Sequence, residues 1–273
     1  MGYGDELMVT GAAKRLQQTD PRKVRLDYGK QFWSEVFDHN PRLAHSADKQ
    51  VQMYRPRVNG LRPYCSKKTD ARWYWNSFSP PVGELYFQPD ELAFAAKFKP
   101  DIIIEPNNKA RASPNKDWGW SKWIRLVEIL RREGLNPVQI GPEGTRLIPG
   151  VGFIQTKSFR WGCAVLARAR ACIVPEGGLH HAAAAVGVPA VVIYGGFISP
   201  AQTGYAAQRS IFTGGEPCGS RLPCPHCARA MMDIMPEAVL HDLRRVLAPA
   251  AEGCEGEWKG IGDTAMMKDR KES

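Results

Sequence analysis

Apolar positions divide the chain into two parts of different texture. From Pro100 onward, short and wholly apolar runs alternate with stretches whose apolar residues recur every three or four positions. Asp101-Ile102-Ile103-Ile104-Glu105-Pro106 is a β-branched run closed by proline, the pattern of a buried strand that stops where a loop begins. Behind it, Trp120, Trp123, Ile124, Val127 and Leu130 mark one face of a helix that ends near Gly134. The alternation predicts a strand at Pro137 to Ile140, a helix at Ala164 to Ala171 and a strand at Cys172 to Pro175. It continues with a helix near His180 to Val186, a strand at Ala190 to Tyr194, and a last helix from Pro236 through Leu240, Leu243 and Leu247. Strands alternating with helices of this length imply right-handed crossovers and a parallel sheet with helices on both faces.

Before Pro100 the pattern is weaker. A helix over Glu6 to Gln18 is supported by Leu7, Met8, Ala12 and Leu16 at helical spacing, and Lys23 to Tyr28 reads as a strand. The domain boundary is therefore expected at Lys97 to Pro100, giving a short first domain over 1–97, a Rossmann-like domain over 98–250 and a polar tail over 251–273.

Composition narrows the function classes. The chain has 273 residues, 43% hydrophobic and including eight tryptophans, which is ample for a core and excludes general disorder. Its longest mostly apolar run, Ala182 to Tyr194, is interrupted by Gly187 and Pro189, so no membrane span is expected. The opening MGYGDELMVTG has no basic stretch followed by an apolar one, and seven scattered cysteines do not form a secreted disulfide framework. The cytoplasm is the expected compartment, with attachment to the inner-membrane surface compatible with it. Lys and Arg number 37 against 28 Asp and Glu, a net +9 that suits a nucleotide, a nucleic acid or a phosphorylated glycan.

Ligands of an open parallel sheet bind beyond the carboxyl ends of its strands, which directs attention to three loops. Val174-Pro175-Glu176-Gly177-Gly178-Leu179-His180-His181 joins a buried strand to an alanine-rich helix. Paired glycines and helix-start amides there suit a diphosphate, and Glu176 would accept from sugar hydroxyls; a tight turn capped by Glu176 gives the same pattern. Asn115-Lys116-Asp117-Trp118 follows the first clean strand, where Lys116 would neutralise a phosphate unless it is simply a surface lysine. Trp120 and Trp123 belong to the core face of the helix, which leaves Trp118 for the ligand side. Gly2-Tyr3-Gly4-Asp5-Glu6 opens the first helix, and Asp5 there serves either the helix dipole or, if held in a cleft, as a general base.

Taken together, GYGDELM at the start, NKDWGWSKW at 115–123, VPEGGLHHAAAAVGVPAVVIYGG at 174–196 and PCGSRLPCPHCARAMMDIMPEAV at 217–239 resemble the lipopolysaccharide heptosyltransferase-like glycosyltransferases of family 9. The resemblance implies an α/β fold of the GT-B type, two Rossmann-like domains facing a cleft, with the amino-terminal one shortened here. It implies an inverting, metal-independent transfer from a nucleotide-diphosphate sugar to a hydroxyl, with no cofactor. Asp5 would be the catalytic base, Lys116, Glu176, Gly177, Gly178, Leu179 and His181 would hold the donor, and Gly4 and Glu6 would line the acceptor side. The expected acceptor is a lipopolysaccharide or other surface glycan precursor. Three other readings stand beside it. The first is transfer to a modified DNA base, drawing on the charge and on Arg72-Trp73-Tyr74-Trp75. The second is a non-catalytic nucleotide-sugar-binding module, and the third a sugar-nucleotide epimerase. Where the family has Asp-Thr-Gly, this chain has Glu176-Gly177-Gly178, so heptose does not follow as the sugar.

Cys218, Cys224 and Cys227, with His226 between the last two, have partial metal-ligand spacing. No fourth ligand is evident from the spacing, and an exposed loop of free thiols is the expectation. Cys163 and Cys172 read as small core residues, and His180 as solvent-facing.

Overall fold

The structure, a computed structural model, describes residues 2–108 and 113–248. The expected tail over 251–273 lies outside the described residues. Among them, no helix is long and apolar enough to cross a membrane.

In chain order the elements are α1 (Tyr3–Leu16), β1 (Lys23–Leu26), β2 (Val51–Tyr54), β3 (Cys65–Lys68), β4 (Trp73–Trp75), α2 (Pro89–Ala95), β5 (Ile102–Ile104), α3 (Trp120–Arg132), β6 (Pro137–Gly141), β7 (Gly152–Gln155), α4 (Phe159–Leu166), β8 (Ala171–Pro175), α5 (Gly178–Val186), β9 (Ala190–Ile193), α6 (Pro200–Thr203), β10 (Arg209–Ile211), α7 (Pro225–Asp233) and α8 (Pro236–Leu247). Six strands form one sheet in the order β10-β9-β8-β5-β6-β7, every pairing parallel. Read from β7, the order is third, second, first, fourth, fifth, sixth: a doubly wound sheet whose winding reverses between β5 and β8.

Alternation along the central strands sorts their side chains between two faces. Ile102, Ile104, Ala171, Ile173, Val191 and Ile193 pack under α3 and α8, with Trp123, Leu126 and Leu243. Ile103, Cys172, Val174, Ala190 and Val192 face the other way, toward Cys163 and Leu166 of α4 and Ala182 and Ala183 of α5. Both sides are covered, so these strands are continuously apolar.

The first hundred residues are built differently. They hold α1, a two-stranded parallel sheet of β1 and β2, a β3–β4 hairpin and α2. Two short strands cannot enclose a core of their own. Leu7, Met8, Val24, Val36, Phe37 and Leu43 instead join the cluster on the α4–α5 side of the large sheet, and α1 packs along α5 while α2 packs on α4. Arg160 on α4 ties the two parts together. It is almost wholly buried, forms a two-pronged ion pair with Glu91 of α2 at 2.7 and 2.8 Å, and donates to the carbonyls of Tyr86, Glu35 and Asp38.

Two sequence expectations shift. The helix expected at Ala164 to Ala171 spans Phe159–Leu166, and Ala171 opens β8, because the chain turns through Ala167 to Arg170 to bring β8 beside β5. The first helix begins at Tyr3, which puts Asp5 and Glu6 in its first turn, where acidic side chains favour the dipole. The short edge strands β7 and β10, which are only partly buried, and helix α7, whose start at Pro225 lies in the cysteine loop, are not among the sequence expectations.

Candidate functional site

The crevice beyond β5 and β8, at the reversal of winding, is where this sheet type binds ligands. Lys116 reaches it on a 3-10 turn, Pro114–Lys116, that follows β5 and is capped by Ser113, whose Oγ accepts from the Asn115 N–H. Glu176 reaches it directly at the end of β8. The two side chains form an ion pair, both largely buried, and Thr203 donates to the other Glu176 oxygen at 3.3 Å. Burial works to raise the Glu176 carboxyl, but the Lys116 ammonium and these hydrogen bonds outweigh it and hold the carboxyl below the ordinary glutamate range.

The two histidines behind Glu176 are buried rather than solvent-facing. His180 accepts the Gly177 N–H on Nδ1 at 2.9 Å, so Nε2 carries the proton and donates to the Thr203 carbonyl at 2.9 Å. His181 pairs through Nδ1 with the Tyr205 hydroxyl at 2.8 Å. Burial lowers the proton affinity of both rings, that of His181 strongly, and both are neutral near pH 7. Glu176, His180 and His181 have ligand atoms close enough to share an ion, yet each is engaged by these partners. The arrangement also corrects one expectation: the Gly177 amide serves His180, so helix-start amides available to an anion begin at Gly178 and Leu179.

Asp5 comes to the same place from α1. A glycine is required beside it, because a Cβ on Gly4 would overlap the His181 imidazole; this close approach presses the start of α1 onto α5. Gly4 is thus a packing residue. Glu6 is also turned inward, 3% exposed, accepting from the Ser34 hydroxyl at 2.5 Å, so neither lines an acceptor surface as expected. Asp5 itself accepts from Arg62 Nε and from the Tyr64 hydroxyl, each at 2.6 Å, and Arg57 stands 4.0 Å away. Burial, then the Asp5 charge, pushes the Tyr64 phenol far up, so it remains a donor to Asp5. The Glu176 charge also acts on Arg62 and on Tyr64, which links the two halves of the site. Beside Asp5 lies a recess of about 30 Å³, lined by Met8, Tyr54, Arg57, Arg62 and Phe78 among others. That admits a water or a single hydroxyl, not a sugar ring.

Asp5, Lys116, Glu176 and His181 are therefore brought together, with Gly178 at the same helix start and Leu179 half-buried against the core. Trp118 is not among them: it is 3% exposed and donates its indole N–H to the Ile234 carbonyl. Arg62, Tyr64, Thr203 and Tyr205 carry no motif in the sequence, and Asn115, though it opens the segment at 115–123, is given no role by it. Asn115 locks the Lys116 turn by donating to the carbonyls of Ser220 and Leu222 and accepting from the Cys224 N–H.

No protein-family model matches the sequence, and no curated protein matches it. Solved structures do. A family 9 glycosyl transferase from Veillonella parvula superposes with a TM-score of 0.62 at 14% identity, covering 90% of this chain and 95% of that one. TibC, a dodecameric iron-containing glycosyltransferase from enterotoxigenic E. coli, gives 0.63 at 15% identity, covering 90% and 74%. E. coli ADP-heptose lps heptosyltransferase II gives 0.45 at 20% identity over 60% of this chain, which spans only 53% of that protein. At these identities the likeness is one of architecture: the chain has the α/β fold of the GT-B type found in the family 9 glycosyltransferases.

Proposed function

We propose that this chain is a glycosyltransferase of the family 9 kind. On this reading it moves a sugar from a nucleotide-diphosphate donor to an acceptor hydroxyl with inversion. The observation that carries the reading is the meeting of Asp5, held by Arg62 and Tyr64, with the Lys116–Glu176 pair at the winding reversal of the sheet.

The chemistry follows from the charges. A carboxylate has about four lone-pair sites, and Arg62, Tyr64 and, at 3.5 Å, the Gly2 N–H use three on Asp5, which leaves one to take a proton from an acceptor hydroxyl seated in the adjoining recess. As the hydroxyl oxygen attacks the anomeric carbon, the bond to the diphosphate breaks and negative charge builds on the leaving group. Lys116 and the first-turn amides of α5 supply the compensating field, so this transfer needs no metal at the leaving group. Glu176, acting as acceptor, would bind donor-sugar hydroxyls once Lys116 turns to the phosphate.

The proposed acceptor is an anionic surface-glycan precursor, whose phosphates suit the net charge of +9. In the aromatic cluster of β4 that suggested base stacking, Tyr74 is exposed and cations stand against the Trp73 and Tyr74 rings. Arg62 lies 4.5 Å and Lys68 5.4 Å from the Trp73 ring, and Lys67 lies 5.6 Å from the Tyr74 ring.

The test is a thermal-shift panel of nucleotide-diphosphate sugars followed by turnover. A donor present at about 100 times its Kd stabilises the fold by roughly 2.7 kcal/mol. With the donor so found, Asp5→Asn is expected to lower kcat about 10²–10⁴-fold while donor Kd holds. Turnover unchanged by Asp5→Asn removes Asp5 from the mechanism, and a panel without any stabilising nucleotide sugar refutes the donor site.

A further inference from the structure

The loop after β10 gathers four side chains that the transfer chemistry does not use. Cys218 lies in the loop, Cys224 caps α7, and His226 and Cys227 occupy the first turn of that helix. Their ligand atoms all lie within 4.8 Å of one another, with Cys218 Sγ 3.0 Å from Cys227 Sγ and His226 Nδ1 3.8 Å from Cys227 Sγ. Four ligands around a tetrahedral thiolate-bound cation are separated by about 3.4–3.8 Å, given bonds of about 2.3 Å to sulfur and 2.0–2.1 Å to nitrogen. Small outward adjustments of the sulfurs would therefore enclose one ion.

Two features go beyond proximity. His226 donates Nε2–H to the Gly214 carbonyl at 2.6 Å, and that hydrogen bond leaves Nδ1 as the unprotonated nitrogen on the side of the sulfurs. Metal-bound histidines are oriented in this way, by a backbone acceptor on the far nitrogen. The ring is also held in place by the backbone of Gly196, where a Cβ would lie 2.9 Å from His226 Cε1 and 3.0 Å from Nδ1. In addition, Cys218 Sγ accepts the Ser220 N–H at 3.3 Å, a bond that stabilises a thiolate.

We infer that Cys218, Cys224, His226 and Cys227 form a closed site for one thiophilic divalent cation, zinc or iron(II), with a structural role. Four protein ligands leave no open coordination position for chemistry. What the ion braces is read from the loop's other bonds. The carbonyls of Ser220 and Leu222 anchor Asn115 beside Lys116, the Gly219 carbonyl accepts from the Trp73 N–H, and Arg221 N–H donates to the Ala71 carbonyl. One ion thus fixes the Pro114–Lys116 turn and the β3–β4 hairpin to the large sheet. This inference does not depend on the glycosyltransferase reading.

The test uses the full chain, purified without chelator and with affinity-tag histidines removed. Elemental analysis is expected to find one zinc or iron per chain and to say which. After stripping, Co²⁺ is expected to restore the visible bands of a tetrahedral thiolate site. His226→Ala should weaken Co²⁺ binding by more than the roughly 10–100-fold that loss of an outer-shell partner costs, and His226→Cys should restore it with an altered spectrum. Only trace metal and no tetrahedral cobalt spectrum in the wild-type chain would overturn the inference. So would a Cys218–Cys227 disulfide in the purified protein, or Co²⁺ affinity indifferent to His226→Ala.

Discussion

Arg160 is the sharpest point at which to disturb this fold. Its guanidinium meets both Glu91 oxygens, at 2.7 and 2.8 Å, and three backbone carbonyls, with side-chain exposures of 5% and 6% for the pair. Arg160→Met keeps the apolar stem and strands the Glu91 carboxylate in the interior, where among the described residues the Gln88 N–H is its remaining donor. Removing one partner of such a buried pair costs about 3–5 kcal/mol, a large share of the roughly 5–15 kcal/mol that holds a domain folded. Urea unfolding should show that loss as a lower midpoint at constant slope. Glu91→Gln, which keeps a hydrogen-bond acceptor at the same place, should cost less, and the Arg160→Met/Glu91→Leu double variant should recover part of the loss, giving a coupling of about 2 kcal/mol or more. Function should follow stability by a definite route. Arg160 Nη1 bonds the Glu35 carbonyl, and the Glu35 side chain accepts the Tyr3 hydroxyl at 2.6 Å in the first turn of α1, so the seat of Asp5 loosens with it. A destabilisation by Arg160→Met under about 1 kcal/mol, the scale of an exposed pair, would refute this account.

Gly4→Ala gains about 1 kcal/mol of helix propensity, yet overlap with His181 should leave a net loss of about 1–3 kcal/mol and slower turnover; a more stable variant would contradict the α1–α5 contact. Lys116→Ala leaves Glu176 buried and unpaired, and calorimetry should show a lower Tm that Lys116→Ala/Glu176→Gln largely restores, while both variants lose donor affinity. Glu105, at the end of β5, is pushed up to about 7 by burial. The folded chain therefore keeps a proton that the unfolded chain releases near 4.5, and stability is full below that pH and falls by up to about 3 kcal/mol as pH rises through 7. Glu105→Gln should flatten that slope, and an unchanged slope in chemical unfolding from pH 5 to 8 would place its origin elsewhere.

The sheet was legible where burial on both faces left an unbroken apolar run. Ile102 to Ile104, Cys172 to Pro175 and Ala190 to Ile193 are interior strands of the sheet. Edge strands gave no such signal: Gly152–Gln155 and Arg209–Ile211 are short and half-exposed, and they depend on their neighbours for their conformation. Pro225 and two cysteines disguised the start of α7 as loop, since proline is as much at home in a first helical turn as outside one. Trp118 misled for a different reason, because an indole at a loop position has an equally good home inside if a backbone carbonyl meets its N–H, as Ile234 does here.

The site divides along the same line. Motif positions named Asp5, Lys116 and Glu176, but their partners lie 57 to 60 residues away in sequence, at Arg62, Tyr64 and in the Lys116–Glu176 pair itself. No local spacing records such distances. What selects those partners is the cost of carrying charge into a crevice walled by packed helices: each carboxylate brought to the reversal point of the sheet must arrive with its counter-charge. The pairing has a functional corollary. On the proposed reading, a donor diphosphate would engage Lys116 only by taking it from Glu176, and Glu176, released from the ammonium, would then be free to accept from sugar hydroxyls. Phosphate without a sugar would strand that carboxylate, and a sugar without phosphate would find it paired. On that reading the ion pair would discriminate in favour of a ligand carrying both groups, so that one interaction would serve both the stability of the crevice and its specificity.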